Sequence, residues 1–283
     1  MPRLFVEELT VIDCASLDAG RGLLGQSWLV DLELEGELDH QGMVFDFGDV
    51  KPAIKAVIDR TVDHRLLVPA RAPELRMERA RHETRLWFRT DHGELYHRSP
   101  DQALCLLDAA TVRVADVEQM LEQAARAQMP DNVSVVRLQL REEDISGAAY
   151  RYVHGLRQHA GNCQRIAHGH RSRIRIFRNG ERWESREYQL ADRWRDIYLG
   201  STADLVDRVE QGGVDSYRFR YRAPQGEFEL LIPASRCELL HTESTVECIA
   251  EHIATQLGDE DPSATIQVRA YEGVRKGAIA RIR

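Results

Sequence analysis

Cysteine is scarce in this 283-residue chain, and its placement has no pattern. Cys14, Cys105, Cys163, Cys237 and Cys248 are an odd, scattered set with no Cys-x-x-Cys pair, which is no disulfide framework. A reduced, cytoplasmic protein is the expectation. Long apolar runs are missing too, and Met1-Pro2-Arg3-Leu4-Phe5 lacks the apolar core of a signal peptide, so no membrane partner is expected. Positive charge is in deficit. With 38 Lys and Arg against 46 Asp and Glu, the net charge of -8 argues against non-specific nucleic-acid binding. What remains is 43% hydrophobic and 30% charged, enough for a packed core under a soluble surface. The length suits one large domain or two of ordinary size.

Histidine, by contrast, is concentrated. His154, Cys163, His168 and His170 fall within 17 residues, and His168-Gly169-His170 leads straight into Arg171-Ser172-Arg173-Ile174-Arg175-Ile176-Phe177. From Ser172, small or polar residues alternate with apolar ones, the mark of a strand. Side chains two apart on a strand share a face, so His168 and His170 project together. His154, on a neighbouring strand, would complete a three-histidine site. Zn²⁺ held by three histidines with one open position is a catalytic rather than a structural arrangement.

Periodicity divides the chain into two similar series. The first has strands over 5–13 and 25–36, a helix over 48–59 and a hairpin over 84–98 turning at Asp91-His92-Gly93. A helix over 112–127 and a strand over 133–140 close it. The second has a strand leading to His154 and the His168 strand, which turns at Asn179-Gly180. A helix over 202–210, a hairpin over 217–232, a helix over 246–257 and a strand over 265–271 follow. Gly25-Gln26 answers Gly169-His170, Val62-Asp63-His64 answers Val214-Asp215-Ser216, and Thr111-Val112 answers Thr245-Val246. Glu142, five residues before Gly147, answers Glu272, five before Gly277. This internal repeat sets a boundary near Tyr150 and predicts two α+β lobes, 1–149 and 150–283, each with an antiparallel sheet.

The ordered set of His154, Cys163, His168-Gly169-His170, Gly42-Met43-Val44-Phe45-Asp46-Phe47, Asp63-His64, Thr245-Val246-Glu247 and a late strand ending in Glu resembles the 6-pyruvoyl-tetrahydropterin synthase / 6-carboxytetrahydropterin synthase family. The resemblance covers both lobes. It implies two tandem tunnelling-fold lobes, each a four-stranded antiparallel sheet with two helices on one face plus an inserted hairpin. It implies a homo-oligomer, since such lobes close into barrels, and a zinc-dependent lyase acting on a small pterin, 7,8-dihydroneopterin triphosphate.

Carried over residue by residue, the resemblance makes His154, His168 and His170 the zinc ligands and Cys163 the base. Asp63 orients His64 as a second acid/base, and Glu142 or Glu272 grips the pterin edge. Arg171, Arg173 and Arg175 are near in sequence for the triphosphate, though they share one strand face. The first lobe has Asp13, Leu24 and Gln26 where the histidines belong, so one zinc per chain is expected. The second has no imidazole to match His64. Each composite site therefore needs both lobes. The implied product is 6-carboxytetrahydropterin, on the way to queuosine or another 7-deazapurine. The alternatives are the triphosphate-eliminating 6-pyruvoyl branch, a non-catalytic pterin binder, and an aldolase or hydrolase of the same fold.

Overall fold

The computed structural model describes residues 1–283 and is an α+β molecule. The first half runs β1 (Arg3–Asp18), β2 (Gly22–Gly36), α1 (Phe47–Thr61), β3 (Leu66–Pro69), β4 (Leu75–Arg79), β5 (Glu83–Thr90) and β6 (Gly93–Pro100). It closes with β7 (Leu104–Leu107), α2 (Val114–Arg126) and β8 (Val133–Glu142). The second half runs β9 (Ala149–His154), β10 (His168–Arg178), β11 (Glu181–Arg182), α3 (Glu184–Arg193), β12 (Arg195–Ser201), β13 (Leu205–Gln211) and β14 (Val214–Ala223). It continues through β15 (Gly226–Pro233), β16 (Cys237–Leu240), α4 (Val246–Glu260), β17 (Ile266–Tyr271) and β18 (Gly277–Ile282). Apart from β11 and β18, the second half repeats the first.

Each half builds a helix-covered sheet, in the order β7-β3-β1-β2-β8 and β16-β12-β9-β10-β17-β18, with β11 beside β10. The trios β1-β2-β8 and β9-β10-β17 are antiparallel, while β3, β7, β12 and β16 join in parallel. The expected four-stranded antiparallel sheet is corrected on this point. A helix carries the chain back across the sheet before β3 and β12 begin, and that crossover makes them parallel to β1 and β9. The inserted hairpins do not stay apart either. They fuse into a third sheet, β13-β14-β15-β6-β5-β4, joined where Leu230 of β15 pairs with His97 of β6.

Alternation places the cores. On β1, Ile12 and Cys14 face α1 and α2, where Ile54, Ile58 and Leu121 meet them. Ala15 and Leu17 face the other way. In the second half, Ile174 and Ile176 pack under Leu190 of α3 and Ile249 and Ile253 of α4. A third core lies between the halves: Leu17 and Leu66 meet Val153, Phe219 and Phe228 there. The two halves thus share buried apolar surface and are not beads on a linker. No helix is long and apolar enough to cross a membrane.

Two elements differ from expectation. Residues 202–210 are not a helix; β13 occupies most of that stretch at the edge of the third sheet. Leu205 and Val209 are four apart, a spacing compatible with both periods. The helix is instead α3, whose sequence is mostly polar and whose inward face includes a buried Glu187. That carboxylate accepts the Ile176 N–H at 3.0 Å and pairs with Arg182 and Arg175. Carboxylates also blunt the outer edge of β8. Glu122 and Glu118 of α2 accept the N–H groups of Leu138 and Leu140 at 2.9 and 2.7 Å.

The halves touch backbone to backbone where β2 crosses β10. A Cβ on Gly25 would stand 2.2 Å from Tyr152 O and 2.5 Å from His170 O, and one on Gly169 would stand 2.8 Å from Gly25 Cα. Gly25→Ala is therefore expected to lose about 2 to 3 kcal/mol of stability, read as a lower urea midpoint. An unchanged midpoint would mean the crossing has slack. A second prediction concerns His97, buried with its Nδ1 unpartnered. Burial lowers its pKa from 6.5 to about 3. Above pH 6.5 it is neutral folded or unfolded and contributes no pH dependence. Below that, only the unfolded chain takes up the proton, so stability falls by about 1.4 kcal/mol per pH unit. His97→Leu should flatten the urea-measured stability profile by that slope between about pH 6 and 4; an identical slope in the variant would show that His97 charges within the fold.

Candidate functional site

His154 ends β9 and His168 begins β10, and the two are direct cross-strand partners; His170 lies two residues on. All three project toward the helix-covered face, beside Tyr152 and the approach to α4. Ring centroids are 4.4 Å apart for His154 and His168, 5.2 Å for His154 and His170, and 5.6 Å for His168 and His170. Their candidate ligand atoms lie within 4.8 Å of one another.

Two of the three outer nitrogens are hydrogen-bonded, and the third, His170 Nδ1, lies beside a carboxylate without hydrogen-bond geometry. His154 Nδ1 is 2.9 Å from Ser244 O and 3.1 Å from Ser244 Oγ. His168 Nδ1 is 3.0 Å from Arg165 O, and His170 Nδ1 lies 3.2 Å from Asp13 Oδ1. The Nε2 atoms of all three are buried without a hydrogen-bond partner. Burial, reinforced by neighbouring imidazoles, drives the pKa values of His154 and His168 well below the ordinary histidine value and keeps both neutral. Three imidazoles, at most 1% exposed, with converging free Nε2 atoms and far sides turned to a carbonyl or a carboxylate, are the pattern of metal-ligating histidines. The donor set fits Zn²⁺ with one position open.

The residues expected to act as acid and base arrive from opposite halves. Cys163 sits in a short 3₁₀ turn, Asn162–Gln164, ahead of β10. Asp63-His64 follows α1, with His64 at φ 54°. His64 Nδ1 is 2.6 Å from Asp63 Oδ2. Ligand atoms of His64, Cys163 and His168 fall within 4.8 Å of each other, and the His64 ring centroid is 5.2 Å from that of His168. Burial alone would lower the His64 pKa, but bonding to Asp63 and Cys163 raises it to about 10. The acid–base pair of the first half and the thiol and histidines of the second therefore meet within one chain.

A polar lattice fixes the Cys163 turn. The Arg165 guanidinium donates to His64 O at 3.2 Å and to Gln225 Oε1 at 3.0 Å, tying both halves and the inserted hairpin together. Buried Gln164 donates to Gly161 O at 2.9 Å and accepts the Gln225 N–H at 2.6 Å.

The two strand-end carboxylates part company. Glu272 Oε1 is 4.0 Å from His170 Nε2, at the histidine cluster. Glu142 is instead enclosed by Arg151 and Arg171. Arg173 and Arg175 likewise already face Glu143 and Glu187. Sequence reasoning missed Ser244 and Lys276, whose Nζ is 3.4 Å from Asp13 Oδ2 and 3.8 Å from Glu272 Oε2. It also misplaced Asp13. Gly25 pairs with Ala15 and Gly169 with Val153, so the residues standing where the histidines stand are Ser16, Leu24 and Gln26. Asp13 matches Arg151.

The counterpart of Asp63-His64 is corrected too. Asp215-Ser216 lies in the third sheet, and strand register matches Asp63-His64 to Arg195-Asp196, where Asp196 repeats the positive φ at 56°. This second, symmetry-related position is filled. Arg21 donates to both Asp196 oxygens at 2.9 and 2.7 Å, and Gln26 donates to Ser16 Oγ at 3.0 Å.

Comparison with known proteins gives one family match and several distant structural likenesses. Residues 21–153, just under half of the chain, match the family model described as 6-pyruvoyl tetrahydropterin synthase. That stretch includes Asp63-His64 and stops one residue before His154. No curated protein matches the chain. Among solved structures, a Plasmodium vivax 6-pyruvoyltetrahydropterin synthase (an E37A catalytic residue mutant) is 18% identical over 50% of this chain and 90% of its own, with a TM-score of 0.41. The Plasmodium falciparum 6-pyruvoyl tetrahydropterin synthase is 19% identical over 49% of this chain and 90% of its own, also at 0.41.

The geometry predicts about one zinc ion per chain in purified protein, and close to none in His168→Ala, measured by elemental analysis. Two ions per chain, or one retained in the variant, would refute the site.

Proposed function

We propose that the chain is a zinc-dependent lyase acting on 7,8-dihydroneopterin triphosphate, of the 6-carboxy-5,6,7,8-tetrahydropterin synthase kind, built from tandem lobes 1–149 and 150–283. One observation carries this reading: three buried imidazoles with free Nε2 atoms meet a thiol backed by an Asp-His pair. Zn²⁺, held by His154, His168 and His170, would supply Lewis acidity toward the hydroxyls or carbonyl of the substrate side chain.

The other steps belong to the protein. Cys163 is placed to take or relay a proton from the side chain. A protonated His64 beside it can return a proton to the product. Asp63, on His64 Nδ1, fixes the ring so that Nε2 is the working nitrogen. Glu272 presents two oxygens near the histidines, suited to the pterin N–H and amino groups as a bidentate pair. Glu142 drops out of that role because its oxygens already hold Arg151 and Arg171. The resemblance further implies a homo-oligomer. Five unpaired cysteines suit a reducing compartment, the cytoplasm.

Incubation with dihydroneopterin triphosphate followed by mass spectrometry tests the reading. The expected product is 6-carboxytetrahydropterin. A 6-pyruvoyl product would assign triphosphate elimination instead, and bound pterin without turnover would make the protein a binder. Cys163→Ala and His64→Ala should each keep zinc and lose about 10² to 10⁴ in kcat. A fully active His64→Ala would end the idea of a site shared by both halves.

A further inference from the structure

The strongest unassigned feature is a buried carboxylate in the half that has no histidine cluster. Asp13, on β1, is 4% exposed and lies next to both parts of the site. Its Oδ1 is 3.2 Å from His170 Nδ1 and accepts the Ser27 hydroxyl at 2.5 Å. Its Oδ2 is 3.4 Å from Lys276 Nζ. The backbone of the same residue holds the other part. Asp13 N–H donates to Asp63 Oδ1 at 3.0 Å, and Asp13 O accepts the His64 N–H at 2.7 Å.

We propose that Asp13 is a positioning residue that couples the metal ligands of one half to the acid–base pair of the other. The inference rests on the zinc reading above. A carboxylate beside Nδ1, here close but outside hydrogen-bond geometry, favours the His170 tautomer that keeps its proton on Nδ1 and leaves Nε2 free for the metal. Asp63 uses one oxygen for the Asp13 N–H and the other for His64, so the strand that orients His170 also sets the direction of the His64 ring. Pseudo-symmetry supports the assignment. The matching residue, Arg151, reaches across in the same way and donates to Gln26 Oε1 at 2.6 Å. In each half, the strand residue at this position grips what stands at the third ligand position of the other half. A carboxylate meets the imidazole; a guanidinium meets the carboxamide oxygen.

The test is zinc affinity by chelator competition, together with the visible spectrum of the Co²⁺-substituted protein. Asp13→Asn should bind zinc about 10- to 100-fold more weakly. Its Co²⁺ spectrum should shift, kcat should fall more than KM changes, and the melting temperature of the metal-free protein should stay near that of the parent. Zinc affinity and Co²⁺ spectrum unchanged in Asp13→Asn, with the parent binding zinc, would overturn this inference alone. A parent that binds no zinc would overturn the zinc reading and this inference with it. If Asp13→Asn does not fold, Ser27→Ala carries the test: loss of one carboxylate partner should weaken zinc binding about fivefold, and an unchanged affinity would overturn the proposal.

Discussion

Where Gly25 of β2 crosses Gly169 of β10, main chain lies against main chain with no room for a side chain between. That approach governs the neighbourhood. It brings β1 and β2 of the first half near the end of β10, so that Asp13 can reach His170 and the Ser27 hydroxyl can accept the Arg171 N–H at 3.0 Å. Spread the sheets by the width of a methyl group and the histidines lose the carboxylate behind His170. The glycines matter for closeness; neither adopts a left-handed backbone. The third core, under the fused hairpin sheet, supplies the apolar burial that keeps the halves pressed together at that point.

The crossing is nearly two-fold, yet the two positions it generates have taken opposite courses. One keeps three imidazoles with free nitrogens. The other has been filled: Arg21 bonds Asp196, Gln26 bonds Ser16, and Arg151 bonds Gln26. A half-emptied polar site would leave buried donors and acceptors unpaired, which is costly. The filled position avoids that cost by pairing its polar groups, Gln26 with Ser16 and Arg151, and by placing apolar Leu24 at the remaining ligand position. The same principle makes the histidine cluster informative, because three unpaired Nε2 atoms are gathered in one buried place.

Much of this was legible in the sequence. His168 and His170 on one strand face follow from period-two alternation, and local patterns located the helices α1, α2 and α4 and both inserted hairpins. Less legible was whatever depended on register. Matching the repeats by residue type placed Asp13 at a histidine position, three residues from its true counterpart, because β1 and β2 join through a short turn at 19–21 while residues 155–167 separate β9 from β10, so spacing along the chain does not carry over. The same weakness paired Asp63-His64 with Asp215-Ser216; the true counterpart, Arg195-Asp196, shares a backbone conformation but no residue type. Helix α3 escaped notice because a buried, multiply bonded Glu187 sits where an apolar residue would have signalled its inward face. The fusion of the two hairpins is a long-range pairing, which no local pattern encodes.

The meeting of Asp63-His64 with Cys163 inside a single polypeptide has a genetic consequence. In an enzyme whose centre straddles two subunits, a chain damaged on one side and a chain damaged on the other can assemble, and one of the shared centres then receives both sound parts. Here the two sides are covalently continuous and packed on a common core. On the catalytic roles proposed above, co-expressing one chain altered at His64 with another altered at Cys163 leaves every centre broken. The tandem arrangement trades the tolerance of a mixed assembly for a centre that is inherited, translated and diluted as one unit.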